Sequence, residues 1–371
     1  MDPTTIKPRD VCIVGVARTP MGRFNGSLRT LTATKLGSIA IQSALERANV
    51  DPSLVQEVFF GNVLSVSFGN DPARESAIEA GIPDTVVCTT INKVCASGMK
   101  AIMLAAQSIQ LGINDVVVAG GMESMSNNLN YEPKFQVVFV EECVKEYSIS
   151  REDQDNYVIQ SFKRSFAAQE NGVFALEITP VEVSGDSEGP STIVNKDEGL
   201  GKFDAARLRN LKPISSKGTI TTGNTASLRD GAAALVLVSG DKALKLGLLV
   251  IAKITGYADA AQNPIFFTTA PALAIPKAIS NAGLKSSQID FYEINEAYAV
   301  VPISNMKLLQ LDPAKVNVHG GALSLGHPIG CSGARILVAL LGVLKKKNGK
   351  YGVGGVSNIG GGASALVVEM V

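Results

Sequence analysis

The sequence predicts an α/β fold made of two related halves with an inserted segment between them. Three observations carry that expectation. Short apolar, β-branched runs alternate with stretches whose apolar residues recur at three- and four-residue steps. That is the pattern of buried strands alternating with helices. The same order of landmarks then occurs twice along the chain. The stretch between the two copies is different in kind, charged and rich in Asn, Ser, Glu and Pro.

The elements follow in order. Val11–Val16, Val58–Val63 and Val116–Ala119 read as buried strands, the last entering a turn at Gly120-Gly121. Ala33–Ala48 and Ser97–Leu111 read as helices. In the first half, Cys95-Ala96-Ser97-Gly98 opens an apolar helix; in the second, Cys331-Ser332-Gly333 opens another. Upstream, Val58-Phe59-Phe60-Gly61-Asn62 is echoed by Phe291-Tyr292-Glu293-Ile294-Asn295. The expected organisation is an N-terminal half over 1–122 plus 231–245, an inserted segment over 123–230, and a C-terminal half over 246–371. Within the insert, Arg151–Glu170 has the pattern of an amphipathic helix, and the whole reads as a lid over a site between the halves. Gly231–Ser239 is an apolar strand that returns the chain to the core.

Bulk properties narrow the function. A chain of 371 residues, 46% hydrophobic, is too long for one ordinary domain and has ample core. Its 34 basic and 34 acidic residues give zero net charge, so nothing electrostatic points to nucleic acid or an anionic membrane as partner. The longest apolar run, Ile336–Leu344, is too short to cross a bilayer. The N-terminus is polar and contains Pro, unlike a secretory signal, and the C-terminus is not of the Ser-Lys-Leu type. Five scattered cysteines without a CxxC spacing fit a reducing, cytoplasmic setting. The two histidines do not complete a zinc-ligand set, so no metal is expected.

Three segments carry chemistry. In Asn92–Gly98, Cys95 sits just ahead of a helix among small residues. The helix N-terminus favours a thiolate and the small neighbours admit a thioester. A buried structural cysteine is the alternative. In His319–Gly330 both histidines lie in one glycine-rich stretch. A ring held between Gly326 and Pro328 suits a base for the thiol or a donor to a thioester oxygen, and a turn histidine bonded to backbone is the alternative. Asn295-Glu296 follows a strand-like run, where open α/β sheets place site residues, though a plain strand-end turn fits as well.

Taken together and in order, these segments resemble the thiolase superfamily, and within it the plant-like, cytosolic-type acetoacetyl-CoA thiolases (acetyl-CoA C-acetyltransferases). The likeness rests on Val16-Ala17-Arg18-Thr19-Pro20, Asn92–Gly98, Gly120–Ser126, Asn295-Glu296-Ala297, Gly326-His327-Pro328 and Gly360-Gly361-Gly362-Ala363, and covers nearly the whole chain. It implies the five-layered αβαβα thiolase fold, a homodimer or homotetramer, and coenzyme A thioesters as substrates with no covalently bound cofactor. By position, it implies that Cys95 is the acylated nucleophile and His327 its base, which also helps bind a thioester oxygen. Asn295 holds a water in one oxyanion hole, and Arg207 contacts the nucleotide part of coenzyme A.

The departures from the family are equally specific. In Val356-Ser357-Asn358-Ile359-Gly360, Ser357 stands where the family has the Cys that serves as acid/base for the substrate α-proton. Ile359 replaces a Gly whose N–H helps form the second oxyanion hole; if that position needs φ > 0, Ile is strained there. The segment after Ser126, Asn127–Glu142, is shorter than the family's lid. In Asn224-Thr225-Ala226-Ser227, Ala226 falls where a Ser contacting pantetheine is expected, with Ser227 beside it. Two readings stay open. One is an acetoacetyl-CoA thiolase, possibly impaired at Ser357. The other is a condensation-deficient protein of the same fold, acting as a binding or assembly partner.

Overall fold

The computed structural model describes residues 6–65, 71–128, 134–185, 190–201 and 203–371. The first half runs β1 (Val11–Arg18), β2 (Gly22–Arg23), α1 (Ala33–Ala48), β3 (Glu57–Gly61), α2 (Pro72–Glu79), β4 (Val87–Ile91), α3 (Ser97–Gln110) and β5 (Val116–Ser124). The middle contains α4 (Lys134–Glu146), α5 (Arg151–Glu170), the hairpin β6 (Val181–Val183) and β7 (Thr192–Val194), and α6 (Ala205–Arg209). β8 (Arg229–Ser239) and α7 (Gly240–Lys245) lead into β9 (Ala252–Ala261), α8 (Pro271–Asn281), β10 (Phe291–Ile294), α9 (Val300–Leu309), α10 (Ala322–Leu325), α11 (Ile329–Lys347), β11 (Tyr351–Asn358) and β12 (Gly362–Met370).

Helix ends follow the local chemistry. Thr32 caps α1 by accepting from the Lys35 N–H, and Asn49 ends it in the left-handed conformation. Ser150 and Asp153 form a capping box at the start of α5. α11 is buried along nearly its whole length and closes on Lys345, Lys346 and Lys347, whose charges complement the helix dipole.

The strands form one sheet path in the order β10-β11-β12-β9-β1-β8-β5-β3-β4, with β2 on β8. The pairing pattern repeats. β1 is antiparallel to β8, β8 to β5, and β5 is parallel to β3; likewise β9 is antiparallel to β12, β12 to β11, and β11 is parallel to β10. The two sets join where Val11–Ile13 of β1 meet Ala252–Ile254 of β9. Three cores fill the layers. Leu36, Ile41 and Phe60 lie in the outer core of the first half. Ile275, Tyr292 and Val367 lie in that of the second. Met99 and Ile102 of α3 share the central core with Ile336 and Leu337 of α11. The result is helix, sheet, helix, sheet, helix.

The repeated Ser-Gly has a packing cause. A Cβ on Gly333 would lie 2.4 Å from the Met99 backbone nitrogen, and one on Gly98 would lie 2.9 Å from that of Ala334. Only glycine lets the two central helices cross so closely. The expected turn at Gly120-Gly121 does not occur. Both residues continue β5 to Ser124. A Cβ on Gly120 would meet the Ala233 carbonyl oxygen at 2.1 Å, and one on Gly121 the Gly330 carbonyl oxygen at 2.1 Å. These glycines serve close backbone approach rather than a change of direction. Of the segment expected as a shortened lid, 129–133 lie outside the described residues, and α4 begins just beyond them.

Candidate active site

Cys95 sits in the tight connection between β4 and α3. Asn92 Oδ1 accepts from the Val94 N–H at 3.1 Å, and Ser97 Oγ accepts from the Lys93 N–H at 2.9 Å. The cost of this turn appears at Val94, a β-branched residue held at φ 51°. Backbone strain of this kind persists where the surroundings enforce it, commonly at functional sites. Lys93 and Lys100 both reach Asp259 of β9, tying the cysteine turn and α3 to the second half.

His327 enters from that second half. Gly326 precedes it at φ 103°, where a Cβ would strike the Arg229 side chain. The His327 N–H donates to the Ser227 carbonyl at 2.9 Å, pinning the turn against the strand that leads into β8. The ring then faces Cys95, with Nε2 3.3 Å from Sγ and Nδ1 2.6 Å from Ser332 Oγ. Burial pushes the Cys95 thiol up to about 12, and the nearby Glu123 carboxylate adds to the shift. Burial also pushes the His327 ring down to about 4, with the Arg335 charge acting the same way. The pair therefore rests as neutral thiol and neutral imidazole. The helix N-terminus does not win a thiolate here, because desolvation in a closed core outweighs the partial charge of a helix end.

Asn295 follows the last residue of β10, fully buried, and neither its Oδ1 nor its Nδ2 meets a protein partner. Its backbone N–H is held by the Gly355 carbonyl at 3.0 Å. A buried amide left free in this way is a donor poised for a substrate or solvent oxygen. Beside it, Glu296 accepts from Tyr157, Ser161, Asn317 and the Leu323 N–H, which fixes the loop. Ser357 lies near the end of β11, 2% exposed, with Oγ unpartnered. The β11–β12 register runs unbroken through Ser357↔Ala363 and Asn358↔Gly362. Positive φ falls on Gly360 (97°) and Gly361 (93°), and not on Ile359, so the strain expected at Ile359 is absent. The hairpin places its left-handed turn one residue later, and the effect of Ile359 is steric.

Cys95, His327, Ser357, Ile359, Ala226 and Tyr298 line one cavity of about 40 Å³. Ala226 is thus at the cleft, whereas Ser227 is exposed and contributes its carbonyl to His327. Arg207 is exposed on α6 and does not line this cavity. His319 is also outside it, and burial pushes its ring down to about 4. Three contributors were not singled out from the sequence. Gln136 of α4 accepts from the Tyr298 hydroxyl at 3.1 Å over the cavity. Glu123 accepts from the N–H groups of Val63, Leu64 and Gly330 and from Asn62 Nδ2, joining β3, β5 and α11, and burial pushes it up to about 7. Ser332 stands behind the His327 ring. A carboxylate inside an apolar strand was the one sequence signal for Glu123. Among the described residues, no cluster of His, Cys, Asp or Glu is arranged to hold a metal.

This constellation matches known proteins. The family description "Thiolase, N-terminal domain" matches residues 11–138 and 130–241, and "Thiolase, C-terminal domain" matches 248–370. The chain is 65% identical over 397 aligned positions to acetyl-CoA acetyltransferase 2 of Arabidopsis thaliana, covering 99% of this chain and 98% of that protein. It is 48% identical to an acetyl-CoA acetyltransferase of Schizosaccharomyces pombe, covering 98% and 99%. The crystal structure of the Bacillus anthracis acetyl-CoA acetyltransferase superposes with TM-score 0.92 at 36% identity, covering 98% of this chain and 99% of that one. The Acat5 thiolase from Ascaris suum in complex with coenzyme A gives TM-score 0.91 at 38% identity, covering 98% and 100%.

Proposed function

The chain belongs to the thiolase family, and we propose that it moves acetyl groups between coenzyme A thioesters through an acyl intermediate on Cys95. It is an acyltransferase of the acetyl-CoA C-acetyltransferase class, joining two acetyl-CoA into acetoacetyl-CoA or cleaving the product with coenzyme A. The observation that carries the site reading is the 3.3 Å contact between Cys95 Sγ and His327 Nε2 inside a closed cavity.

In the first half-reaction, His327 Nε2 takes the thiol proton as Cys95 Sγ attacks the thioester carbonyl. Coenzyme A leaves as a thiolate and takes the proton back from the imidazolium. His327 and the free Asn295 amide stabilise oxygen charge as it develops. In the second half-reaction, an acetyl-CoA gives up its α-proton, the carbanion attacks the acyl group, and Cys95 leaves as thiolate. The base for that proton is the family's Cys, and here the position holds Ser357. A thiol titrates near 8.5 and an aliphatic hydroxyl near water's roughly 15.7, so the mismatch is about seven units. Acylation is therefore fast and carbon–carbon bond making and breaking slow. The Ser357 hydroxyl also favours a second reading, in which the chain acylates but does not condense and serves as a binding or assembly partner.

The remaining features are of the same reading: a homodimer or homotetramer, acting in the cytoplasm, with Arg207 meeting the nucleotide part of coenzyme A and the Ala226–Ser227 stretch its pantetheine. Among the described residues no helix is long and apolar enough to cross a membrane. Incubation with labelled acetyl-CoA, followed by peptide mapping, tests the assignment. Label on Cys95 is expected; label on Cys88 or Cys331 instead overturns it. Steady-state thiolysis of acetoacetyl-CoA then separates the two readings, since turnover below detection with acylation intact leaves only the second.

A further inference from the structure

We infer that Ser332 is a positioning residue that fixes the tautomer of His327, so that Nε2 always presents a lone pair to Cys95. The inference rests on the Cys95–His327 reading and deepens it. Proton bookkeeping along one chain of contacts carries it. Cys95 Sγ lies 3.3 Å from His327 Nε2, His327 Nδ1 lies 2.6 Å from Ser332 Oγ, and Ser332 Oγ lies 2.9 Å from the Pro328 carbonyl oxygen.

A carbonyl oxygen accepts only, so the single Ser332 hydroxyl proton satisfies the Pro328 contact. Ser332 Oγ then receives from Nδ1–H. A neutral ring with its proton on Nδ1 has none on Nε2. Nε2 is then the acceptor for the thiol proton of Cys95, whose resting form is neutral. Each of the three contacts holds one proton. The reverse assignment places an N–H against a protonated thiol and leaves the Ser332–Pro328 contact without one.

The local fold makes this arrangement durable. Pro328 is the N-cap of α11 and Ser332 lies one turn inside the helix, so donor and acceptor are fixed by helix geometry. Ser332 is completely buried, and water does not compete for its hydroxyl. When His327 takes the thiol proton, Nδ1–H and its bond to Ser332 are unchanged. The ring becomes a cation without rotating, and proton return to departing coenzyme A uses the same Nε2.

The chain has two histidines, so nitrogen-15 spectroscopy of the histidine-labelled protein reads two rings, separated by a His319→Gln variant. At neutral pH the His327 ring is expected with Nδ1 protonated and Nε2 bare. Ser332→Ala should populate the other tautomer and slow iodoacetamide alkylation of Cys95 at neutral pH by about tenfold or more, a common effect of losing an outer partner of a histidine. Ser332→Thr, which keeps the hydroxyl, should restore both. A wild-type ring protonated on Nε2 overturns the inference, as does a Ser332→Ala protein with unchanged tautomer and alkylation. If the variants fail to fold, the wild-type spectrum alone decides. His327→Ala without effect on alkylation would instead remove the catalytic pair, a separate outcome.

Discussion

Two parts of the cleft invite comparison: the paired helix entries that hold Cys95 and His327, and the β11–β12 hairpin that holds Ser357 and Ile359. Cys95 lies two residues before α3, and His327 two residues before α11. These are corresponding positions in the two halves, brought together because Gly98 and Gly333 let the central helices cross closely. Geometry and chemistry both survive there: a thiol, a neutral ring and a serine behind it. In the hairpin the geometry survives equally well, with continuous register and a glycine turn. The chemistry does not, because a hydroxyl replaces a thiol. The backbone of a site can thus persist while the atoms of one half-reaction are lost. Acylation and condensation are separable in this fold because different elements carry them.

The comparison breaks most sharply at His327. His327→Ala should slow Cys95 alkylation at neutral pH by about 10²–10⁴-fold, the usual contribution of a positioned base, while His319→Ala should leave it within about twofold. Equal effects from both would end the claim that one helix entry holds the base. The pH dependence carries a second signature. Because burial pushes His327 down to about 4, its ring stays neutral and able to take a proton down to that pH. The unfolded ring protonates near 6.5, so its contribution to stability is full above pH 6.5 and is lost as the pH falls to about 4, by roughly 3 kcal/mol. Thermal melts across that window measure it, and His327→Gln should flatten the loss.

The hairpin supplies the next effect. Ser357→Cys should raise thiolysis of acetoacetyl-CoA by about 10²–10⁴-fold, the span expected for a restored acid/base group. Ile359→Gly should add to it by opening the cavity that the isoleucine now narrows. Both changes act on one transition state, so their combined effect should differ from the product of the two. If the protein as it stands turns over like its relatives, another group supplies the proton and the contrast drawn at Ser357 fails.

Legibility in the sequence follows the same division. Cys95 and His327 stood out because reactive side chains are scarce in this chain and lay beside small residues that fix tight turns. Strand and helix positions were legible from periodicity, since each element buries one face or both. Glycine misled twice, for one reason: the residue marks either a left-handed turn or a close approach, and its letter does not say which. Gly120-Gly121 proved to be close approach inside β5, and the left-handed turn near Ile359 fell on Gly360 and Gly361. Gln136 and Ser332 stayed hidden because their roles are set by contacts. Gln136 meets Tyr298 from 162 residues away, and Ser332 meets His327 only once α11 has formed.

The smallest effect belongs to Ala226, and it tests whether binding follows the intact or the altered side of the cleft. Ala226 is 8% exposed and lines the cavity with Cys95, at the position where family resemblance implies a serine hydroxyl bonded to pantetheine. A methyl there leaves one polar group of the substrate without a partner in the protein. One neutral hydrogen bond contributes about 0.5–1.5 kcal/mol net, or roughly two- to tenfold in affinity at 1.4 kcal/mol per decade. That group lies away from the reacting carbonyl and stays bonded from ground state to transition state. Uniform binding of this kind changes KM and leaves kcat alone. Ala226→Ser should therefore lower KM for acetyl-CoA in the acylation of Cys95 by about two- to tenfold with kcat unchanged. A change in kcat instead would mean that the hydroxyl reaches the reacting atoms, and that position 226 belongs with the chemistry of the cleft rather than with its grip on coenzyme A.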